Sequence, residues 1–216
     1  MNGETPSPAQ LSAIGDLFVR ELATLGRLRS YPRNTVFITE GDSSDALFVI
    51  LTGKVKAFVS DSEGHELILN TQGAGEYVGE MALDGKPRSA SVVTLEPSTF
   101  SVVQREPLRE AIRRNPDFAL DMISKVIERA REATDNVKNL ALLDVYGRVA
   151  RLLLNMAVET DGKLRIPDKI TQQEIAERVG ASRDMVSRIF RDLTVGGYIS
   201  VESRYITINK KPPARW

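Results

Sequence analysis

Between residues 115 and 143, apolar side chains recur at alternating steps of four and three: Ala119, Ile123, Val126, Ala130, Ala133, Val137 and Leu140. A period of about 3.5 residues is a narrow seam on an α-helix, the spacing along which two helices pair. Lys125, Glu128, Arg129, Arg131, Glu132, Asp135 and Lys138 occupy the other faces. Asn115 can cap this helix, and Pro116 suits a first helical position that needs no N–H. An amphipathic helix lying on its own domain and a helix paired with a second copy of the chain both fit this pattern. The narrowness of the stripe favours the pair.

Upstream, residues 1–10 read as a polar, frayed tail, and 11–25 as one short helix with Leu11, Ile14, Leu17, Phe18 and Leu22 on one side. Strand-like runs follow at 35–38, 46–51, 54–59, 66–71, 89–94 and 99–103, separated by turns rich in glycine, aspartate and proline. Many short strands at regular spacing predict an antiparallel barrel or jelly roll. Residues 107–114 form a short helix leading into the long one. Downstream, Thr171 and Glu174 make a capping box ahead of an apolar run. Ala176, Gly180, Val186 and Ile189 fall where a helix-turn-helix needs a small contact, a tight turn and two inward branched residues. Its second helix, 182–193, presents Arg183, Asp184, Ser187, Arg188 and Arg191 outward, and strands at 198–201 and 205–208 complete a winged form. The fold class is therefore α+β. The expected domains are a β jelly roll (1–114), a long helix and hinge (115–143) and a winged helix-turn-helix (144–216).

Composition narrows the function. With 42% hydrophobic residues in 216, the chain can bury a core, and its longest apolar run, 46–51, is strand-sized and too short to span a membrane. The first ten residues lack the basic and apolar regions of a secretory signal, so a cytoplasmic location is expected. The absence of cysteine removes disulfides and cysteine-ligated metals, and the single histidine, His65, sits in a predicted hairpin turn. No metal site is expected, and a cupin-type metalloenzyme would need several His or Glu ligands that the strands lack. The net charge of zero conceals an asymmetry. Residues 1–143 carry 16 Lys+Arg against 20 Asp+Glu, or −4, and residues 144–216 carry 13 against 9, or +4. A mildly basic C-terminal part is compatible with nucleic acid.

Two stretches carry chemistry. In GEYVGEMALDGKPRSAS (75–91), glycines at 75, 79 and 85 allow sharp turns that present backbone N–H groups to an anion. Arg88 supplies a forked cation suited to phosphate, Ser89 a hydroxyl donor, and Glu80 an acceptor suited to a sugar hydroxyl. Turn glycines beside a surface arginine would look the same. In the recognition helix, arginine is the natural reader of guanine O6 and N7, and a carboxylate can accept from cytosine N4.

Residues 75–91 resemble the phosphate-binding cassette of cyclic-nucleotide-binding domains, particularly in the catabolite activator (cyclic AMP receptor) family of bacterial regulators. VKNLALLDVYGRVARLLLNMA (137–157) resembles that family's hinge and first effector helix, and SRDMVSR (182–188) is similar to its recognition-helix motif. The likeness spans about residues 31–208. It implies a homodimeric transcription regulator, not an enzyme, with cyclic AMP as ligand. Cyclic di-GMP, or a dimer competent without ligand, is the alternative. Relatives that sense redox state or gases through iron–sulfur or haem are disfavoured by the missing cysteines. The implied ligand contacts are Gly79, Glu80, Met81, Arg88, Ser89, Ala90, Arg129, Ala133 and Thr134. The implied contacts to double-stranded DNA, at TGTGA-like half-sites, are Gln172, Gln173, Ser182, Arg183, Asp184, Ser187, Arg188 and Arg204. RNA polymerase is an implied partner, with Arg27 and Arg29 near the place of a basic patch. The chain departs from the family at three points. The segment from Glu80 to Arg88 is slightly shorter, Asp184 replaces the usual glutamate, and Ala133-Thr134 stand where a Thr-Ser pair meets the base.

Overall fold

The structure, a computed structural model, describes residues 4–160, 162–202 and 205–213, apart from the side chain of Ala82. It divides into two units, Met1–Val59 with Ile68–Arg129 and Ser60–Leu67 with Ala130–Trp216. The N-terminal helix expected over 11–25 is two helices, α1 (Pro8–Ser12) and α2 (Leu17–Thr24). Ser7 and Gln10 form a reciprocal capping box at the first, and Asp16 caps the second by accepting from the N–H groups of Phe18 and Val19 at 3.0 and 3.3 Å. Two caps so close together start two helices instead of one. The expected frayed tail is also corrected, because the Glu4 carbonyl accepts from the Leu28 N–H at 2.7 Å. Phe18, Val19, Leu22 and Ala23 are buried, whereas Leu17, expected on the same side, is 75% exposed.

Eight strands follow: β1 (Arg27–Tyr31), β2 (Val36–Ile38), β3 (Leu47–Thr52), β4 (Lys54–Ser60), β5 (Glu66–Gly73), β6 (Tyr77–Val78), β7 (Ser91–Thr94) and β8 (Ser98–Val103). They form two four-stranded sheets in the orders β1-β8-β3-β6 and β2-β7-β4-β5. Strand β3 shows why its sequence is continuously apolar. Leu47, Val49 and Leu51 face one core with α2, while Phe48 and Ile50 face the other with Ile38, Val55 and Val92 of the second sheet. A strand covered on both faces has no reason to alternate. This is the expected antiparallel jelly roll.

Helix α3 (Arg105–Arg114) leads to α4 (Asp117–Leu142), and the Asn115 side chain accepts from the Asp117 N–H at 3.2 Å. Phe118 and Met122 bury the first turns of α4 in the core that also holds α2. A different stripe of α4 stays open: Ile123, Val126 and Val137 of the expected seam are 52, 47 and 65% exposed, and Leu120 and Ile127 add to it.

The second unit is helical with a small sheet. Helix α5 (Val145–Met156) begins at Asp144, which caps it by accepting from the Gly147 N–H at 2.7 Å. Strands β9 (Val158–Thr160) and β10 (Lys163–Arg165) were not expected, because every residue in them is exposed. Helices α6 (Gln172–Val179) and α7 (Arg183–Val195) precede β11 (Ile199–Glu202) and β12 (Tyr205–Ile208), and the sheet order is β11-β12-β10-β9. Val149, Leu153, Ile166, Ile175, Val186, Leu193 and Ile199 lie at its centre. Only half of the predicted capping box forms. The Thr171 hydroxyl accepts from the Glu174 N–H at 3.1 Å, but the Glu174 carboxylate instead takes Arg178 at 2.9 Å. Thr171→Ala is therefore expected to cost about 1 kcal/mol in denaturant unfolding, the usual worth of a hydroxyl cap.

Candidate ligand site and nucleic-acid interface

The glycine-rich stretch folds around a buried cation. Gly79, at φ 93°, turns the chain out of β6 into a short 3-10 helix, Glu80–Asp84. A Cβ on Gly79 would lie 2.6 Å from Arg88 Nη1, so this position needs glycine for space as well as for conformation. Arg88 is 5% exposed. Its guanidinium donates to the Gly79 carbonyl at 2.8 Å, the Ser44 hydroxyl at 2.9 Å and the Ala46 carbonyl at 2.6 Å. The buried Nε–H has no partner, and among the described residues no carboxylate pairs with the group. Burial lowers its pKa, offset in part by the charges of Asp45, Glu80 and Asp42. A guanidinium stays protonated regardless. The site thus holds a buried guanidinium with no carboxylate in contact and an unused donor, which fits an anion such as a phosphate diester.

Glu80 is arranged differently. Its carboxylate pairs with Arg129 of α4 at 2.6 Å, and both side chains are largely buried. Arg129 also donates to the Tyr77 carbonyl and lies over the Tyr77 ring, 4.6 Å from its centroid. Burial pulls the Arg129 pKa down, but Glu80 more than offsets it and the net shift is upward. The Tyr77 hydroxyl, buried, is pushed up to about 12. Glu80 is thus paired with Arg129, and Arg88 is left without a carboxylate in contact, with Asp42 and Asp45 acting on it from further off. The other cassette residues lie nearby. The Ser89 hydroxyl donates to the Met81 sulfur at 3.2 Å, and Ala90 follows, half-buried.

In the second unit, Gly180 takes a left-handed φ of 61° between α6 and α7, and Ser182 caps α7 by accepting from the Met185 N–H at 3.3 Å. Val186, Ile189, Phe190 and Leu193 turn inward. Arg183, Asp184, Arg188 and Arg191 are exposed and Ser187 is half-buried, all on one outward stripe. An open groove of about 850 Å³ runs along this surface, lined by Gln172, Gln173, Arg183, Ser187 and Arg191 among others. The Gln173 amide donates to Glu177 at 3.0 Å. Asp184 sits in the first turn of α7, where a carboxylate is favoured by the helix dipole. Among the described residues no helix is long and apolar enough to cross a membrane, and no cluster of His, Cys, Asp or Glu could hold a metal ion.

Residues 28–115 match the model of the cyclic nucleotide-binding domain, and residues 147–212 that of the Crp-like helix-turn-helix domain. The cAMP-activated global transcriptional regulator CRP of Salmonella typhimurium is 34% identical over 187 residues, covering 84% of this chain and 89% of that protein. The chain belongs to the Crp/Fnr family of transcriptional regulators. The CRP-like cAMP-activated global transcriptional regulator of Mycobacterium tuberculosis is 32% identical, over 83% of this chain and 82% of that one. The c-di-GMP responsive global regulator CLP of Xanthomonas campestris shares the fold, with a TM-score of 0.77 at 23% identity over 88% of this chain and 97% of that one.

In this Crp/Fnr member the structure brings together Gly79, Glu80, Met81, Arg88, Ser89 and Arg129 in the first unit. Ala133 and Thr134 belong to the second, on the exposed part of α4, and the Thr134 hydroxyl donates to the Ala130 carbonyl at 2.9 Å. Arg204 lies outside the described residues. Arg27 and Arg29 are exposed on the edge strand β1. Sequence reasoning missed three partners. Ser44 and the Ala46 carbonyl hold Arg88, and a backbone carbonyl leaves no mark on a sequence. Arg148 of α5 donates to the Leu143 carbonyl at 3.0 Å and the Val179 carbonyl at 2.8 Å, tying the segment before α5 to the end of α6. An arginine near the start of an apolar helix was the available signal.

Proposed function

We propose that this Crp/Fnr regulator is a cytoplasmic homodimer, not an enzyme, that binds cyclic AMP in its jelly roll and a palindromic, TGTGA-like DNA site through α7. The observation that carries the ligand reading is Arg88, a buried guanidinium with an unused N–H and no pairing carboxylate among the described residues. The single phosphate diester of a cyclic mononucleotide suits this one unpaired guanidinium. Cyclic di-GMP would bring two negative charges to the same unpaired cation. The relatives named as cAMP-activated support this choice. The open stripe on α4, from Leu120 to Val137, supports pairing with a second copy, since so many large apolar side chains seldom stay in water. RNA polymerase is proposed as the downstream partner. Ligand acts by binding one arrangement of the dimer more tightly than another. Calorimetry against cyclic AMP, cyclic GMP and cyclic di-GMP tests the ligand, and DNA mobility with and without it tests the response. Binding of cyclic di-GMP alone would replace the ligand assignment.

The base-reading positions suggest blunted selectivity. Ala133 offers only a methyl group, and the Thr134 hydroxyl already donates within its own helix. Restoring a hydroxyl with Ala133→Thr is expected to raise the preference for cyclic AMP over cyclic GMP by about fivefold, the worth of one net hydrogen bond. Competition binding of the two nucleotides checks it. Strong adenine selectivity in the parent, unmoved by the substitution, would place base reading elsewhere.

A further inference from the structure

We infer that Met81 is an oxidation-sensitive control point of the anion cassette, with hydrogen peroxide as the oxidant. This rests on reading residues 75–91 as a cyclic nucleotide site. Met81 is 66% exposed at the start of the 3-10 helix, against 38% for Met185 and 9% for Met122. Its sulfur accepts the hydrogen bond of the Ser89 hydroxyl at 3.2 Å, and Ser89 directly follows the buried Arg88. The one hydroxyl of the cassette beside that cation is therefore held by the most open of these methionines.

A thioether is a weak acceptor. A phosphate oxygen takes the Ser89 hydroxyl from it readily, because a charge-assisted bond replaces a poor one. Peroxide changes that exchange. A sulfur lone pair attacks one peroxide oxygen, the O–O bond breaks, and the oxygen stays on sulfur as a sulfoxide while the other leaves as water. Sulfur loses two electrons and peroxide gains them. The sulfoxide oxygen is a strong acceptor, so it keeps the Ser89 hydroxyl and opposes its transfer to the nucleotide phosphate. Methionine sulfoxide reductases reverse the change, so the cassette can be reset.

The test is calorimetry of cyclic AMP with the full chain before and after mild peroxide treatment, with oxidation of Met81 followed by peptide mass. Oxidised protein is expected to bind about fivefold more weakly, the difference of one hydrogen bond, and reductase treatment to restore it. Met81→Leu, whatever its own starting affinity, should keep that affinity through the same treatment. Ser89→Ala lacks the donor, so peroxide should oxidise its Met81 and leave its affinity where it was. Damage elsewhere would not discriminate among these proteins. The inference is overturned by an unchanged affinity in oxidised parent protein, by an equal loss in Met81→Leu, or by a loss in Ser89→Ala matching the parent's. If untreated parent protein binds no cyclic nucleotide, the reading of the site itself falls, and the inference with it.

Discussion

Replacing Arg88 with leucine is expected to raise the dissociation constant for cyclic AMP by more than about 100-fold, from the loss of two charge-assisted hydrogen bonds. Three of the five N–H groups of this guanidinium already hold Gly79, Ser44 and Ala46, and the remaining ones are what a phosphate would meet. The substitution also touches the fold. The Gly79 and Ala46 carbonyls lose their donor, at about 1–3 kcal/mol for each group left unpaired. Relief of a buried charge returns part of that cost. A lower denaturation midpoint with a single intact transition is therefore expected alongside the lost affinity. Calorimetry and denaturant unfolding on the same preparation separate the two effects. A folded Arg88→Leu protein with the parent's affinity would remove the cassette from the ligand site.

The second large effect concerns DNA. Arg183 and Arg188 stand on the outward stripe of α7, exposed, away from the buried Val186 and Ile189. Each bidentate arginine is worth roughly 1–3 kcal/mol of base discrimination, and a dimer presents both arginines twice. The double variant Arg183→Ala, Arg188→Ala is thus expected to lose at least about 4 kcal/mol of preference for the proposed palindrome over scrambled DNA, near 1,000-fold. Non-specific binding should persist, because other cations still meet the phosphates. Anisotropy titrations of both DNAs at one fixed salt concentration provide the comparison. Retention of the parent's preference would mean that α7 does not read the bases.

What could be read in advance was what depends on near neighbours. The apolar spacing of the long helix, the caps at Asn115 and Asp144 and the tight turn at Gly180 are local statements, and the structure has an exposed apolar stripe, both caps and a left-handed Gly180 at those places. Strand β1 was missed because Arg-Leu-Arg-Ser-Tyr on a sheet edge has only Leu28 and Tyr31 half-buried and shows no clear alternation. Strands β9 and β10 were missed for the related reason that every residue in them is exposed, and the partner that anchors β10 to the sheet, β12, lies far along the chain. Within the site, Arg88 and Glu80 were named from one motif. Their different states were not legible: the pairing of Glu80 with Arg129 and the seat of Arg88 on Ala46 both span more than forty residues. Residue type indicated the chemistry, and tertiary packing assigned which charge is neutralised and which is left for a ligand.

The strand order of the first sheet also bears on how the chain matures. Arg27 pairs with Val102 and Leu47 with Val103, so β1 and β3 both wait for β8. Closing such long loops must precede the contacts that reward it, which makes the sheet slow to form. On the ribosome, the apolar run of β3 emerges well before the segment that will flank it has been made. During that interval the nascent polypeptide carries an unpaired, hydrophobic strand edge, the condition most prone to self-association. That edge of β3 is covered only once β8, which ends at Val103, has been made.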